Sequence, residues 1–115
     1  MHRTTAYDRG DVVLVEFMFA DESAQKLRPA LVVSSDAYQR GRREIIIAAI
    51  TSNVTRRLFG DHRIYAWRAA GLLFPSSVTG IVRTVRQAMI RRRLGTLKRP
   101  DMESFAQMLR QSLDL

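Results

Sequence analysis

The run Glu44-Ile45-Ile46-Ile47-Ala48-Ala49-Ile50 constrains this chain more than any other stretch. Its apolar residues fall at odd and even positions alike, so as a strand it offers hydrophobic side chains to both faces of a sheet. Such a strand is buried on both sides, which places it centrally in its sheet. It ends at the polar Thr51-Ser52-Asn53.

The rest of the chain supplies neighbours for it. Asp11–Phe19 (D-V-V-L-V-E-F-M-F), preceded by Gly10, is rich in β-branched and aromatic residues and reads as a strand buried for most of its length. Polar Ala20–Leu27 reads as a loop and Pro29–Ser35 as a short apolar strand, so the pair forms a hairpin with a long tip. Ser35–Arg43 reads as a polar turn, and Val54–Gly60 as a basic, irregular segment. Asp61–Trp67 alternates loosely enough to be another strand, and Gly71–Pro75 is a connector carrying Leu72, Leu73 and Phe74. Ser77–Val85 alternates with Gly80 as a bulge or bend, and Met89–Leu94 is a helical turn or a strand continuation closed by Gly95.

The C-terminus reads as an amphipathic helix. Pro100 suits a first helical turn, and Asp101 and Glu103 suit the positive end of the helix dipole. Met102, Phe105, Ala106, Leu109 and Leu113 share one face, and the polar face is not basic, so the helix packs on the sheet rather than on a membrane surface. Short strands, intervening turns and one terminal helix predict a mainly β, α+β fold. That fold is a small, strongly bent antiparallel sheet or barrel, with residues 1–115 forming a single domain.

Several function classes are disfavoured. No cysteine is present, which removes disulfide frameworks and thiolate metal sites and fits a reducing cytoplasm. Met1–Gly10 is polar and charged, unlike a signal peptide, and no apolar run approaches the roughly 20 residues of a membrane span. The only histidines, His2 and His62, sit in no ligand-spaced cluster and read as surface residues, so no metal is expected. There is no phosphate-cradling glycine loop and no nucleophile elbow. The net charge of +8 comes from 17 arginines and only 2 lysines. An arginine fork holds phosphate through two hydrogen bonds, so this bias points to nucleic acid first and an acidic protein second.

Two residues then stand out. Pro29 fixes its own φ and biases Arg28 toward extended backbone, holding that guanidinium at a strand mouth. Thr51 closes the next strand, so antiparallel pairing through the turn at 35–43 makes Arg28 and Thr51 neighbours across the sheet. A cation and a hydroxyl there can hold a phosphate and stabilise charge developing on it. The residues alone also fit a plainer reading, with Arg28 a solvated arginine and Thr51-Ser52 satisfying a turn.

Four stretches, in this order and spacing, resemble the MazF/PemK toxins of bacterial toxin–antitoxin systems: Arg9–Val15, Arg28–Ser34, Ile47–Ser52 and Arg83-Thr84-Val85. The resemblance runs from about Arg9 to the C-terminus. It implies an SH3-like barrel with a C-terminal helix, acting as a homodimeric, sequence-selective endoribonuclease that needs no metal or cofactor. Such an enzyme cuts single-stranded mRNA by 2′-hydroxyl attack on phosphate and so inhibits translation and growth. Carried over, Arg28 contacts the scissile phosphate and can protonate the leaving oxygen, while Thr51 bonds a phosphate oxygen. Ser52, Lys26, Arg56, Arg57 and Arg83 form the expected substrate-binding set, with bases received by the Ala20–Leu27 and Val54–Gly60 segments. The implied partners are single-stranded RNA, an antitoxin with an acidic inhibitory segment and, through that complex, operator DNA.

The chain departs from the family pattern at two points. Where some relatives carry an acidic residue shortly before the Arg83-Thr84 segment, this chain reads Thr79-Gly80-Ile81-Val82, and Met89 stands where many have arginine. The general base is therefore open among Asp21, Glu22, His62 and water. Arg91–Arg93 can replace the charge missing at Met89. Two other classes fit the same barrel: a catalytically silent nucleic-acid-binding module, and a gyrase-poisoning relative independent of Arg28 and Thr51.

Overall fold

A computed structural model describes residues 6–18 and 26–115. In chain order the elements are β1 (Asp11–Phe17), β2 (Lys26–Val32), α1 (Asp36–Gln39), β3 (Glu44–Thr51), β4 (His62–Arg63), β5 (Ser77–Arg86), β6 (Ile90–Thr96) and α2 (Arg99–Leu113). The strands form one sheet of order β4-β5-β3-β2-β1-β6, with every pairing antiparallel. β3 is interior, between β2 and β5, as its two-faced apolar run requires.

Connectivity forces the sheet to curl. β5 and β6 are remote from each other in the strand order, yet only the 3-residue 3₁₀ turn Gln87–Met89 joins them. The two regions can meet only if the sheet bends back on itself, in keeping with the right-handed twist of strands. Among the described residues β5 and β6 share no ladder, so the sheet is open, and the expected SH3-like barrel is a strongly curled sheet rather than a closed one.

This curl produces two cores, one on each face of β3. Ile45, Ile47 and Ala49 join Val13, Val15, Ala30, Val32 and Ile90, with Ile81, Val85 and Met89 packed alongside, so this cluster lies inside the curl. Ala48 and Ile50 face the other way, with Val12, Leu31 and Val78, and are covered by Met102 and Phe105 of α2 and by Ile64, Ala70 and Leu72. Burying side chains of this size contributes about 1.5–3 kcal/mol each, which is what fastens α2 to the sheet. Met102 and Phe105 are buried as the helical period predicts, but Leu113 is exposed at the last turn.

Three boundaries differ from the sequence expectation. β2 begins at Lys26 rather than Pro29, because Lys26, Leu27 and Arg28 pair with Phe17, Glu16 and Val15 of β1. It ends at Val32, where Ser34 takes over: its hydroxyl donates to Gln39 Oε1 at 2.6 Å and accepts from the Ile46 amide at 3.0 Å. The expected strand 61–67 shrinks to His62–Arg63, since the amides of Tyr65 and Ala66 donate to the Asp101 carboxylate at 2.9 and 3.0 Å instead of to a ladder. The expected loop Ala20–Leu27 lies outside the described residues over 20–25, and its last two residues belong to β2.

Gly80 is a bulge, as its place in the alternation predicts. Ala48 pairs with Val82 and Ile50 with Val78, so Thr79, Gly80 and Ile81 stand against Ala49 alone. Buried Thr79 ties the bulge down, its hydroxyl donating to the Ala49 carbonyl at 2.8 Å and accepting from the Ile81 amide at 3.1 Å. Met89–Leu94 resolves into the end of the 3₁₀ turn and the first half of β6, the strand continuation of the two alternatives.

Candidate active site

The β2–β3 ladder runs Val32↔Ile47, Leu31↔Ala48, Ala30↔Ala49 and stops beside Pro29, which has no N–H to give. Continuing that register two residues sets Pro29 against Ile50 and Arg28 against Thr51. The juxtaposition expected from hairpin pairing is therefore present. Arg28, Thr51 and Ser52 line one cavity of about 360 Å³, and Arg28 is half-buried with its Nε shielded from solvent.

The far wall of this cavity is Leu72, Leu73, Phe74 and Ser76, and its floor includes Pro29, Ile50, Arg92 and Leu94. A close backbone crossing fixes that wall. A Cβ on Gly71 would lie 2.0 Å from the Leu94 carbonyl oxygen, and one on Gly95 would lie 2.4 Å from that of Ala70, so only glycines let the 70–74 segment sit against β6. The Ser76 hydroxyl donates to the Phe74 carbonyl at 2.8 Å and holds the tip.

Donors converge on this cavity. Thr51 Oγ1 accepts from the Asn53 amide at 3.1 Å, and among the described residues its own O–H has no acceptor. Arg92 lines the cavity and makes no hydrogen bond or ion pair among the described residues, although Arg91 pairs with Glu16 and Arg93 with Asp11 at 2.8 Å. Among the described residues no aspartate or glutamate is in the lining. Such a pocket suits an anion with an apolar group attached: the cations and hydroxyls take the charge, and the Leu72–Phe74 wall takes the rest.

The remaining predicted residues separate. Thr51 also borders a second groove of about 840 Å³ that contains Asn53, Arg56, Gly80 and Arg83 and, among the described residues, again no carboxylate. Arg56 is committed to Asp61 at 3.0 Å. Arg57 lies with Arg56 and Asp61 in a smaller recess, and Lys26 is exposed on β2 away from both cavities. Of the candidates for a general base, Asp21 and Glu22 lie outside the described residues. His62 faces a different recess, with Tyr65 and Ser104, and is no part of the Arg28 cavity.

His62 is not the surface residue its isolation implied. Its side chain is 10% exposed and bonded to Asp101 at 2.8 Å. Asp101, read at the positive end of the helix dipole, does sit in the first turn of α2 and is 2% exposed. Burial pushes its carboxyl up, but the Tyr65 and Ala66 amides and His62 more than offset this and hold its pKa below the ordinary carboxylate value. It anchors the start of the segment that becomes the cavity wall.

Arg92 and Phe74 were missed as site residues in the sequence. The signal for Phe74 was an apolar pair inside a connector, where polar residues are expected. Arg92 was hidden in a run of three arginines, where only the geometry of the β1 partners separates the middle one from its neighbours. Among the described residues no group of three His, Cys, Asp or Glu side chains can hold a metal ion. None of the helices is long and apolar enough to cross a membrane.

Fold and site together define a small basic protein whose curled sheet, covered by one helix, carries a cleft lined by Arg28, Thr51 and Arg92. Residues 8–113 match the sequence profile of the PemK-like, MazF-like toxins of type II toxin–antitoxin systems, and the chain belongs to that family, whose MazF-like members are endoribonucleases. No protein of curated function matches the sequence. Among solved structures it is similar to an endoribonuclease in complex with its cognate antitoxin from a mycobacterial species, at TM-score 0.78 and 18% identity, covering 96% of this chain and 97% of the other. It is also similar to the Mycobacterium tuberculosis toxin MazF-mt6, at TM-score 0.74 and 23% identity over 91% and 97% of the two chains. A MazE–MazF structure from Deinococcus radiodurans aligns at TM-score 0.76 and 19% identity over 96% and 98%. At these identities the structural likeness establishes the fold.

Proposed function

We propose that this chain is a toxin that cuts single-stranded RNA at short sequences without a metal, with the Arg28–Thr51 pair as its phosphate site. The observation that carries this is the register of β2 and β3, which sets a half-buried guanidinium opposite a donor hydroxyl in one cavity. Unpaired RNA offers splayed bases and a flexible backbone, which a narrow basic cleft of this kind can receive. The ribose 2′-oxygen attacks the adjacent phosphorus, the bond to the 5′-oxygen breaks, and a cyclic phosphate, or after hydrolysis a 3′-phosphate, remains beside a 5′-hydroxyl. Arg28 neutralises charge on the phosphoryl oxygens, and Thr51 donates to one of them. The 2′-proton passes to Asp21, Glu22 or water and one returns to the 5′-oxygen, while the described residues of the cavity contribute positioning and charge stabilisation.

Ser52 borders the phosphate site, and Arg83 with Arg56 steers the strand along the second groove. Arg57 and Lys26 act at longer range through their charge. The working form is a cytoplasmic homodimer of one-domain chains, held in check by an antitoxin whose acidic, disordered segment folds onto the basic cleft. Operator DNA is bound through that toxin–antitoxin complex. The test is incubation with a long single-stranded RNA in EDTA, mapping cut positions and end groups. Recurrent cuts with 5′-hydroxyl ends support the reading. Tight binding without cuts favours a silent RNA-binding module, the reading to which the missing acidic residue at Thr79-Gly80-Ile81-Val82 lends weight.

A further inference from the structure

We infer that the Leu72–Phe74 wall and Arg92 form a nucleotide subsite beside the scissile phosphate, with Phe74 stacking one unpaired base and Arg92 holding the phosphate next to it. This rests on the proposed function and adds the source of sequence preference. Leu73 and Phe74 are 83% and 63% exposed. Their exposure is built in rather than incidental, because the Gly71–Leu94 and Gly95–Ala70 crossings and the Ser76–Phe74 hydrogen bond fix the loop that carries them. A rigid, exposed aromatic ring in a basic cleft is the element that unpaired bases stack on.

Arg92 supplies the second, independent observation. Arg91 and Arg93 pair with carboxylates on β1, whereas Arg92, set against Leu14 between two register shifts of the β1–β6 ladder, lines the cavity together with Leu94. Among the described residues, Arg92 is thereby left with its whole donor fork available. The cavity, of about 360 Å³, falls within the range that accepts a small planar ligand. Charge decides between occupants: with Arg28 and Arg92 in the lining and, among the described residues, no carboxylate, a phosphate-bearing chain is favoured over an apolar protein segment.

The experiment uses the wild type, Phe74→Ala and Arg92→Gln. It reads the cut motif on a complex RNA pool, the binding of an oligonucleotide made uncleavable by a 2′-deoxy at the preferred site, and the oligomeric state by sedimentation. Phe74→Ala is expected to lose preference at one position next to the cut and to bind about tenfold or more weakly. Arg92→Gln is expected to keep the motif, weaken binding and reduce the slope of log affinity against log salt by about one. Unchanged motif and binding in both variants, with cutting by the wild type, overturns the subsite and leaves the proposed function standing. A changed oligomeric state in Phe74→Ala with an unchanged motif overturns it in favour of a protein interface. A wild type that neither cuts nor binds RNA overturns both.

Discussion

Replacing Asp101 by asparagine tests how the site is held. The carboxylate is 2% exposed and accepts from the Tyr65 and Ala66 amides at 2.9 and 3.0 Å while bonded to His62 at 2.8 Å. Asparagine keeps one acceptor oxygen and turns the other end into a donor, so at least one buried N–H faces another N–H. An orphaned buried donor costs about 1–3 kcal/mol, and losing the charge-assisted character of the remaining bonds brings the total to roughly 2–4 kcal/mol. Against a typical total stability of about 5–15 kcal/mol that is severe, and it lowers the melting temperature by roughly 10–20 °C.

The pH dependence gives a sharper signature. Folding lowers the Asp101 pKa, so the unfolded chain takes up the proton first as pH falls. The stabilisation is fully present above the unfolded value of about 3.9 and is lost as pH falls through the lower folded value. Denaturant melts of wild type and Asp101→Asn from neutral to acid pH should therefore differ by a constant amount at neutral pH and converge below about pH 4. Equal melting of the two proteins at pH 7, or a gap that widens in acid, would refute the assignment.

Two further outcomes follow from packing. Gly95→Ala puts a methyl 2.4 Å from the Ala70 carbonyl oxygen, so backbone must move, and we expect a loss of about 1–3 kcal/mol in the denaturant midpoint together with slower RNA cutting. Arg93→Ala leaves the carboxylate of buried Asp11 with the Asp8 amide and Thr96 alone and should cost about 1–3 kcal/mol, whereas Arg92→Ala, the same charge change one residue away, should stay within about 0.5 kcal/mol.

What the sequence disclosed about the site is what strand geometry controls. Arg28 and Thr51 were recognisable as neighbours because antiparallel pairing of consecutive strands fixes which ends meet, and the two-faced run 44–50 located the centre of the sheet. Gly80 likewise signalled its bulge through broken alternation. Asp101 was legible as a first-turn carboxylate but its burial was not, because such a carboxylate looks the same whether it faces water or, as here, accepts amides 35 and 36 residues distant. That same long-range contact ended β4 early, which no local pattern near Tyr65 announces. Leu113 fits the apolar helical face yet is exposed, at the edge of the groove it lines with Leu109. The partners of Arg91 and Arg93 are 75 and 82 residues away, so the availability of Arg92 could be seen only once β6 was set against β1.

The central claim is that Arg28 and Thr51 act on one phosphate as a unit. The measurement that tests it most directly is the single-turnover cleavage rate of one RNA at its preferred site, taken for wild type, Arg28→Ala, Thr51→Ala and the double variant in EDTA. We predict that Arg28→Ala loses roughly 10²–10³-fold and that the double variant is scarcely slower than Arg28→Ala alone. Losses that multiply in the double variant, or an Arg28→Ala protein that cuts at the wild-type rate, would contradict the account.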